Sequence, residues 1–124
     1  MPKNALISIV DDDESVRAAI KGLLTALGYA TEAFESAEEC IASPHLRRTA
    51  CLIIDINLPG MSGPELYRHL VASGMAIPTI IITSYPDDRV RASALSAGAI
   101  GYLTKPFHKA DLLDCVRSAL GESN

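Results

Sequence analysis

The sequence predicts an α/β fold: a doubly wound, five-stranded parallel sheet with helices on both faces, built from five strand–helix units over 124 residues. Three observations predict it. Short apolar runs alternate along the chain with longer segments whose apolar residues recur at helical spacing. The strongest runs show no apolar–polar alternation, which implies burial on both faces and therefore a parallel sheet. The links between runs and periodic segments are short, as successive right-handed crossovers require.

The elements follow in order. Ala5 to Val10 (ALISIV) is rich in β-branched residues and stops at Asp11. Val16, Ala19, Ile20, Leu23, Leu24 and Leu27 then form one helical stripe, and Gly28 stands where a terminating glycine belongs. Ala30 to Phe34 is a weaker strand. Ser36 is an N-cap with Glu39 completing a capping box; Ala37, Cys40 and Ile41 face inward, and Pro44 closes the helix. Ala50 to Ile54 is the second strong run, ending at Asp55. The loop from Asn57 to Gly63 leads to a helix with Leu66, Tyr67, Leu70 and Val71 on one side. Thr79 to Thr83 (TIIIT) is the next continuous strand, and Val90, Ala94 and Leu95 mark a modest helix ending near Gly98. Ile100 to Thr104 is the last run, broken by Lys105-Pro106. Leu112, Leu113, Val116, Ala119 and Leu120 make a final amphipathic helix stopped at Gly121.

Composition bounds the function. With 48% apolar and 21% charged residues the chain can bury one core, and its length leaves no room for a second domain, so residues 1–124 are expected to form a single domain. No apolar run approaches the ~18 residues of a membrane span, and Met1-Pro2-Lys3-Asn4 lacks the apolar stretch of a secretory signal, so a cytoplasmic protein without a membrane partner is expected. A net charge of −4 gives no basic footprint for direct nucleic-acid contact. Cys40, Cys51 and Cys115 contain no C-x-x-C pair and read as small buried hydrophobes.

In an open α/β sheet the reactive crevice lies beyond the carboxyl ends of the strands. Asp11, Asp12 and Asp13 follow the first strand, Asp55 the third, Thr83 ends the fourth, and Lys105 follows the fifth. If the sheet order brings these strands side by side, the carboxylates share one rim. Two like charges ~4 Å apart repel by roughly 4 kcal/mol at an effective dielectric of 20. A hard divalent cation removes that cost, and Mg²⁺ suits two or three carboxylates, a backbone carbonyl and water. Three acidic residues at the first helix start also disfavour a phosphate cradle, hence a nucleotide or flavin. Asp55, at the tip of a buried strand, is placed to act as a nucleophile that forms an aspartyl-phosphate, with Lys105 neutralising phosphoryl oxygens and Thr83 donating a hydrogen bond.

The remaining polar residues have plainer readings. Asp13 is the N-cap of the first helix rather than a metal ligand. His45, His69 and His108 share no ligand spacing and are expected at the surface; Arg89 and Arg91 are expected on the solvated face of the fourth helix.

Four matches in order resemble the receiver domain of bacterial two-component response regulators: IVDDDESVR after the first strand, Asp55 with LPGMSG following, Thr83 ending IIIT, and the run Gly101 to Phe107 (GYLTKPF). The resemblance covers essentially the whole chain and is closest to the FixJ-like group, whose members usually carry a C-terminal DNA-binding effector. It implies the flavodoxin-like, CheY-like (βα)5 architecture with strand order 2-1-3-4-5, and the first and fifth helices on one face. It also implies roles. Asp55 accepts a phosphoryl group from a sensor histidine kinase. Asp11, Asp12, Asp55 and the backbone carbonyl of Asn57 hold Mg²⁺. Thr83 and Lys105 engage the phosphoryl group, Tyr102 swings inward, and the Lys105–Pro106 bond is cis. The output is a conformational switch of the face formed by the fourth helix, fifth strand and fifth helix, which controls transcription without enzymatic turnover, and a phosphorylation-dependent homodimer through that face is expected. Ser84 departs from the Ala or Gly more usual there, and Tyr85 beyond it is larger still. A haloacid-dehalogenase-type phosphatase, which needs a second Asp two residues after the nucleophile, meets Asn57 instead. A flavodoxin-like FMN carrier meets the acidic first loop.

Overall fold

The computed structural model describes residues 5–121, so the stretch Met1–Asn4, on which the expectation of no secretory signal rests, lies outside the described residues. Five strands and five helices alternate: β1 (Leu6–Val10), α1 (Glu14–Ala26), β2 (Ala30–Phe34), α2 (Ala37–Ala42), β3 (Thr49–Asp55), α3 (Gly63–Ala72), β4 (Thr79–Thr83), α4 (Asp88–Ser96), β5 (Gly101–Thr104) and α5 (Lys109–Ala119). All four strand pairings are parallel, in the order β2-β1-β3-β4-β5. This is the expected doubly wound architecture.

The three central strands are apolar because each face of the sheet is covered. Ile7, Ile9, Cys51, Ile53, Ile80 and Ile82 meet Ile20 and Leu24 of α1 and Leu112 and Val116 of α5. Val10, Leu52, Ile54 and Ile81 point the other way, onto Ala37 and Cys40 of α2 and Leu66 and Leu70 of α3. Successive residues of a strand face opposite sides, so β3 feeds both cores by alternation alone. The edge strands β2 and β5 are only partly buried.

Helix starts follow cap chemistry. Asp13 caps α1 by accepting from the Ser15 and Val16 N–H groups, as expected. Ser36 caps α2, but Glu39 reaches past it to the Glu35 N–H, so the predicted capping box is half formed. The complete reciprocal box lies at α3, where Ser62 and Glu65 satisfy each other's backbone N–H groups.

Several inward faces are narrower than the sequence stripes imply. On α1 only Ile20 and Leu24 are fully buried, with Ala19 and Leu27 exposed. Ile41 is partly buried, and Val71, expected beside Leu70, is 52% exposed. Helix α4 buries no residue at all. Cys40 and Cys51 are buried as expected, and burial pushes both thiols up to about 12, which makes them inert. Cys115 of α5 is only half-buried, although its sulfur packs so closely on Gly101 that a Cβ there would stand 2.7 Å from it.

Candidate functional site

The carboxyl ends of β1, β3 and β4 and the loop after β5 converge on one rim, since β1 and β4 flank β3 and β5 flanks β4. Asp11 follows the last residue of β1 and is fully buried; Asp55 is the last residue of β3 and is 5% exposed. Asp12 stands exposed beside them. One carboxylate oxygen from each of Asp11, Asp12 and Asp55 lies within 4.8 Å of the others. Asp13, turned to its capping role, is not in this cluster.

Lys105 joins it. Its Nζ donates to Asp11 Oδ2 at 2.8 Å and to Asp55 Oδ2 at 3.1 Å, and its side chain is 12% exposed. The remaining oxygens of the two buried carboxylates are satisfied locally. Asp11 Oδ1 accepts from the Asp13 N–H at 2.8 Å, and Asp55 Oδ1 from the Asn57 N–H at 3.1 Å. Three carboxylates thus cluster around one rim, and the Lys105 ammonium pairs with two of them, Asp11 and Asp55. Burial, reinforced by the charge of Asp11, raises the Asp55 pKa against the opposing pull of the Asn57 N–H and Lys105. For Lys105, burial acts downward, but its contacts with Asp11 and Asp55 outweigh it and the pKa ends raised.

Excess negative charge on hard oxygen donors is the donor set that Mg²⁺ or Ca²⁺ takes and that thiophilic metals do not. Asp11, Asp12 and Asp55 therefore fit a divalent cation. Asn57 lies two residues beyond Asp55 in the loop entering α3. That loop is drawn tight against the strand. Gly63 N–H donates to the Ile56 carbonyl, and a Cβ on Gly63 would stand 2.4 Å from the Asp55 carbonyl oxygen. Only glycine permits this approach.

Thr83, buried at the end of β4, donates to Asn57 Oδ1 at 3.3 Å and accepts from the Tyr85 N–H at 3.0 Å. Its hydroxyl is therefore engaged with the Asp55 loop rather than with Asp55. Tyr102 on β5 is half-buried, and its hydroxyl accepts from the N–H of Asp87, the N-cap of α4, at 3.3 Å. The Lys105–Pro106 bond is cis. Ser84 and Tyr85 are exposed, Tyr85 at 75%.

Other predicted surface residues fall nearly where expected. His69, His108, Arg89 and Arg91 are exposed. His45 is not simply a surface residue, because its Nδ1 meets Glu32 Oε2 at 2.6 Å and holds that carboxyl below its usual range. Two contacts near the site gave no sequence signal. Arg17 Nη1 donates to the Asp11 carbonyl at 2.8 Å, and Glu38 of α2 accepts from the Met61 N–H at 3.0 Å.

A cleft of about 550 Å³ opens beside Lys105 and Ser84. Val16, Ala19 and Leu23 of α1 wall it on one side, and Pro106 and Phe107 on the other. Ala19 thus faces the cleft, and Val16 and Leu23 are shared between the cleft and the core, while Leu27 lies outside both.

The response regulator receiver domain family matches residues 7–117. The response regulator protein TmoT of Ectopseudomonas mendocina is 37% identical over 118 residues, covering 95% of this chain and 54% of the relative. The transcriptional regulatory protein FixJ of Rhizobium meliloti (strain 1021) is 35% identical over 113 residues, covering 91% of this chain and 55% of FixJ. The chain thus spans about half the length of these curated relatives. The crystal structure of FixJ-N superposes with a TM-score of 0.84 at 33% identity, covering 98% of this chain and 97% of that one.

Proposed function

This chain belongs to the response regulator receiver domain family, and on that premise we propose that Asp55 is the residue that accepts a phosphoryl group from a sensor histidine kinase. Receiver domains are generally phosphorylated by such kinases and bind Mg²⁺ at an acidic pocket. The observation that carries the reading here is the clustering of the Asp11, Asp12 and Asp55 carboxylates, with the Lys105 ammonium bonded to Asp11 and Asp55.

An Asp55 carboxylate oxygen forms the new O–P bond, the P–N bond of the donor phosphohistidine breaks, and the imidazole keeps that electron pair and takes up a proton. The chain need do little covalent chemistry, because phosphoryl transfer depends mainly on positioning and charge neutralisation. Asp11 and Asp12, with Asp55 and the Asn57 carbonyl, would hold the cation. Mg²⁺, when bound, neutralises these carboxylates and the phosphoryl oxygens. Lys105 already reaches Asp55 and needs only to transfer its bond from the carboxylate to the phosphoryl group. The α1 cleft beside it offers the kinase an apolar face next to the nucleophile.

The switch follows from what the phosphoryl group competes for. Thr83 leaves Asn57 to donate to the new oxygens. Tyr102 moves into the space that Thr83 yields and gives up the Asp87 N–H at the start of α4. The added charge thereby biases a two-state equilibrium of the α4-β5-α5 face. The partly exposed Leu95 and Ile100 lie on that face and support a phosphorylation-dependent homodimer through it. The output is transcriptional control exerted by an effector beyond this domain, in a cytoplasmic signalling protein rather than a turnover enzyme.

The test is acetyl phosphate with Mg²⁺, read by intact mass. One phosphate should appear on the wild-type protein, be removed by hydroxylamine, and be absent from Asp55→Asn. An Asp55→Asn protein phosphorylated at the wild-type rate would remove Asp55 from the role.

A further inference from the structure

The loop that carries Asn57 is anchored at two levels. Its base is tied to the sheet by the Ile56 N–H to the Ile82 carbonyl and by the Gly63 N–H to the Ile56 carbonyl. Its far side, Pro59 to Met61, reaches away from the sheet, and there it meets α2. Glu38, in the first turn of α2, places Oε2 3.0 Å from the Met61 N. The same oxygen lies flat on Gly60, where a Cβ would come within 2.8 Å of it. Gly60 has φ +72, a conformation that favours glycine on its own account. The left-handed turn is what demands glycine here, since the carboxylate is the far end of an exposed side chain and can shift.

We infer that Glu38 is a positioning residue for the Asn57 backbone carbonyl, fixing from outside the acidic cluster the loop that supplies the cation's main-chain ligand. The inference rests on the magnesium reading of the site given above. Glu38 does not belong to the cluster of Asp11, Asp12 and Asp55, so its action runs through the loop. Mg²⁺ demands near-ideal octahedral geometry at about 2.0–2.1 Å, so a carbonyl that wanders by a fraction of an ångström is a poorer ligand.

Glu38 is solvent-exposed, and an exposed contact of this kind adds little to global stability. This separates a positioning role from a structural one. Backbone amide shifts of the metal-free protein are titrated with Mg²⁺ alone, for the wild type, Glu38→Ala and Glu38→Gln. Melting temperatures in EDTA are measured alongside. Glu38→Ala should bind Mg²⁺ at least fivefold more weakly, with its melting temperature nearly unchanged. Glu38→Gln keeps an acceptor for the Met61 N–H and should stay within twofold of wild type. Equal affinity of Glu38→Ala and wild type overturns the inference alone. A loss in Glu38→Gln as large as in Glu38→Ala also overturns it, since long-range charge would then be the cause. A wild-type protein with no saturable response overturns the magnesium reading, and the inference with it.

Discussion

Removing the Lys105 ammonium tests the charge balance on which the site depends. In Lys105→Ala, Asp11 and Asp55 lose a partner at 2.8 and 3.1 Å respectively. At an effective dielectric of 20 those attractions amount to about 6 and about 5 kcal/mol, while two carboxylate oxygens within 4.8 Å of each other repel by at least about 3 kcal/mol. Most of the attraction is offset by the cost of burying the ammonium, several kcal/mol for an ion taken out of water. What remains after truncation is a buried pair of like charges, a defect that typically costs about 3–5 kcal/mol. Because the Lys105 pKa is raised, the contribution is fully present below the ordinary lysine value of 10.5 and fades only as pH rises through the folded value. The expected loss in EDTA, by urea unfolding followed by circular dichroism, is therefore about 3 kcal/mol and flat between about pH 6 and about pH 9. Mg²⁺ at about ten times its dissociation constant should return about 1.4 kcal/mol, with tighter binding than in the wild type because no ammonium competes for the same oxygens. The penalty should shrink below about 1 kcal/mol in an Asp11→Asn, Asp55→Asn background, where no like charges remain to separate. A loss under about 1 kcal/mol in the parent, or one undiminished in that background, would refute the reasoning.

Gly63→Ala should destabilise by about 2 kcal/mol, since a clash with the Asp55 carbonyl oxygen outweighs the up to about 1 kcal/mol that alanine gains in a helix; a urea midpoint shift worth under about 0.5 kcal/mol would mean that the loop yields. Asp55→Asn should be at least as stable as the wild type in EDTA at pH 7, because burial and Asp11 raise the Asp55 pKa and its ionised form therefore opposes folding. The wild type should gain stability as pH falls through that raised value toward the usual 3.8, and the asparagine variant should lose this gain; an Asp55→Asn protein less stable than wild type at pH 7 would contradict the sign. Amides of α4 should exchange with solvent before those of α1, since α4 buries no residue and α1 buries Ile20 and Leu24; equal protection of the two helices would count against α4 as the yielding element.

The strands were legible because burial on both faces leaves a signature that survives in one dimension. TIIIT names β4 to the residue, and the ends of β1 and β3 fall at the acidic residues where the apolar runs break. Helix faces were less legible, since a stripe at helical spacing cannot say whether its flank meets a core or an open cleft. Leu23 and Ala19 lie on one cleft, and Val71 simply faces solvent. The capping boxes show a different failure. Ser36-x-x-Glu39 and Ser62-x-x-Glu65 are the same pattern, yet only the second closes, because Glu39 finds the Glu35 N–H first. The acidic cluster and Lys105 were legible because strand ends in this topology are forced together. Glu38 was not, because its partner is a backbone N–H 23 residues away that any residue at position 61 except proline would offer.

The order of burial around the site explains where a new charge would be felt. Asp11 and Asp55 are locked, one fully buried and the other at the tip of the central strand, each with a backbone N–H on one oxygen. The more weakly seated groups are the Thr83 hydroxyl, which donates to Asn57 at 3.3 Å while accepting from the Tyr85 N–H at 3.0 Å, and the Tyr102 hydroxyl, held at 3.3 Å by the Asp87 N–H. Both lie on the β4–β5 side, and the second leads directly into the one helix that buries nothing. On the proposed reading, the buried seating of α1, α2, α3 and α5 and the weak seating of α4 mean that the added charge shifts α4 before the other helices. To carry a two-state element from 1:99 to 99:1 requires about 5.5 kcal/mol of differential interaction. That is of the order of one buried charge contact at the distances Lys105 already makes, so a single phosphoryl group has enough to spend only if the element it moves is poorly packed.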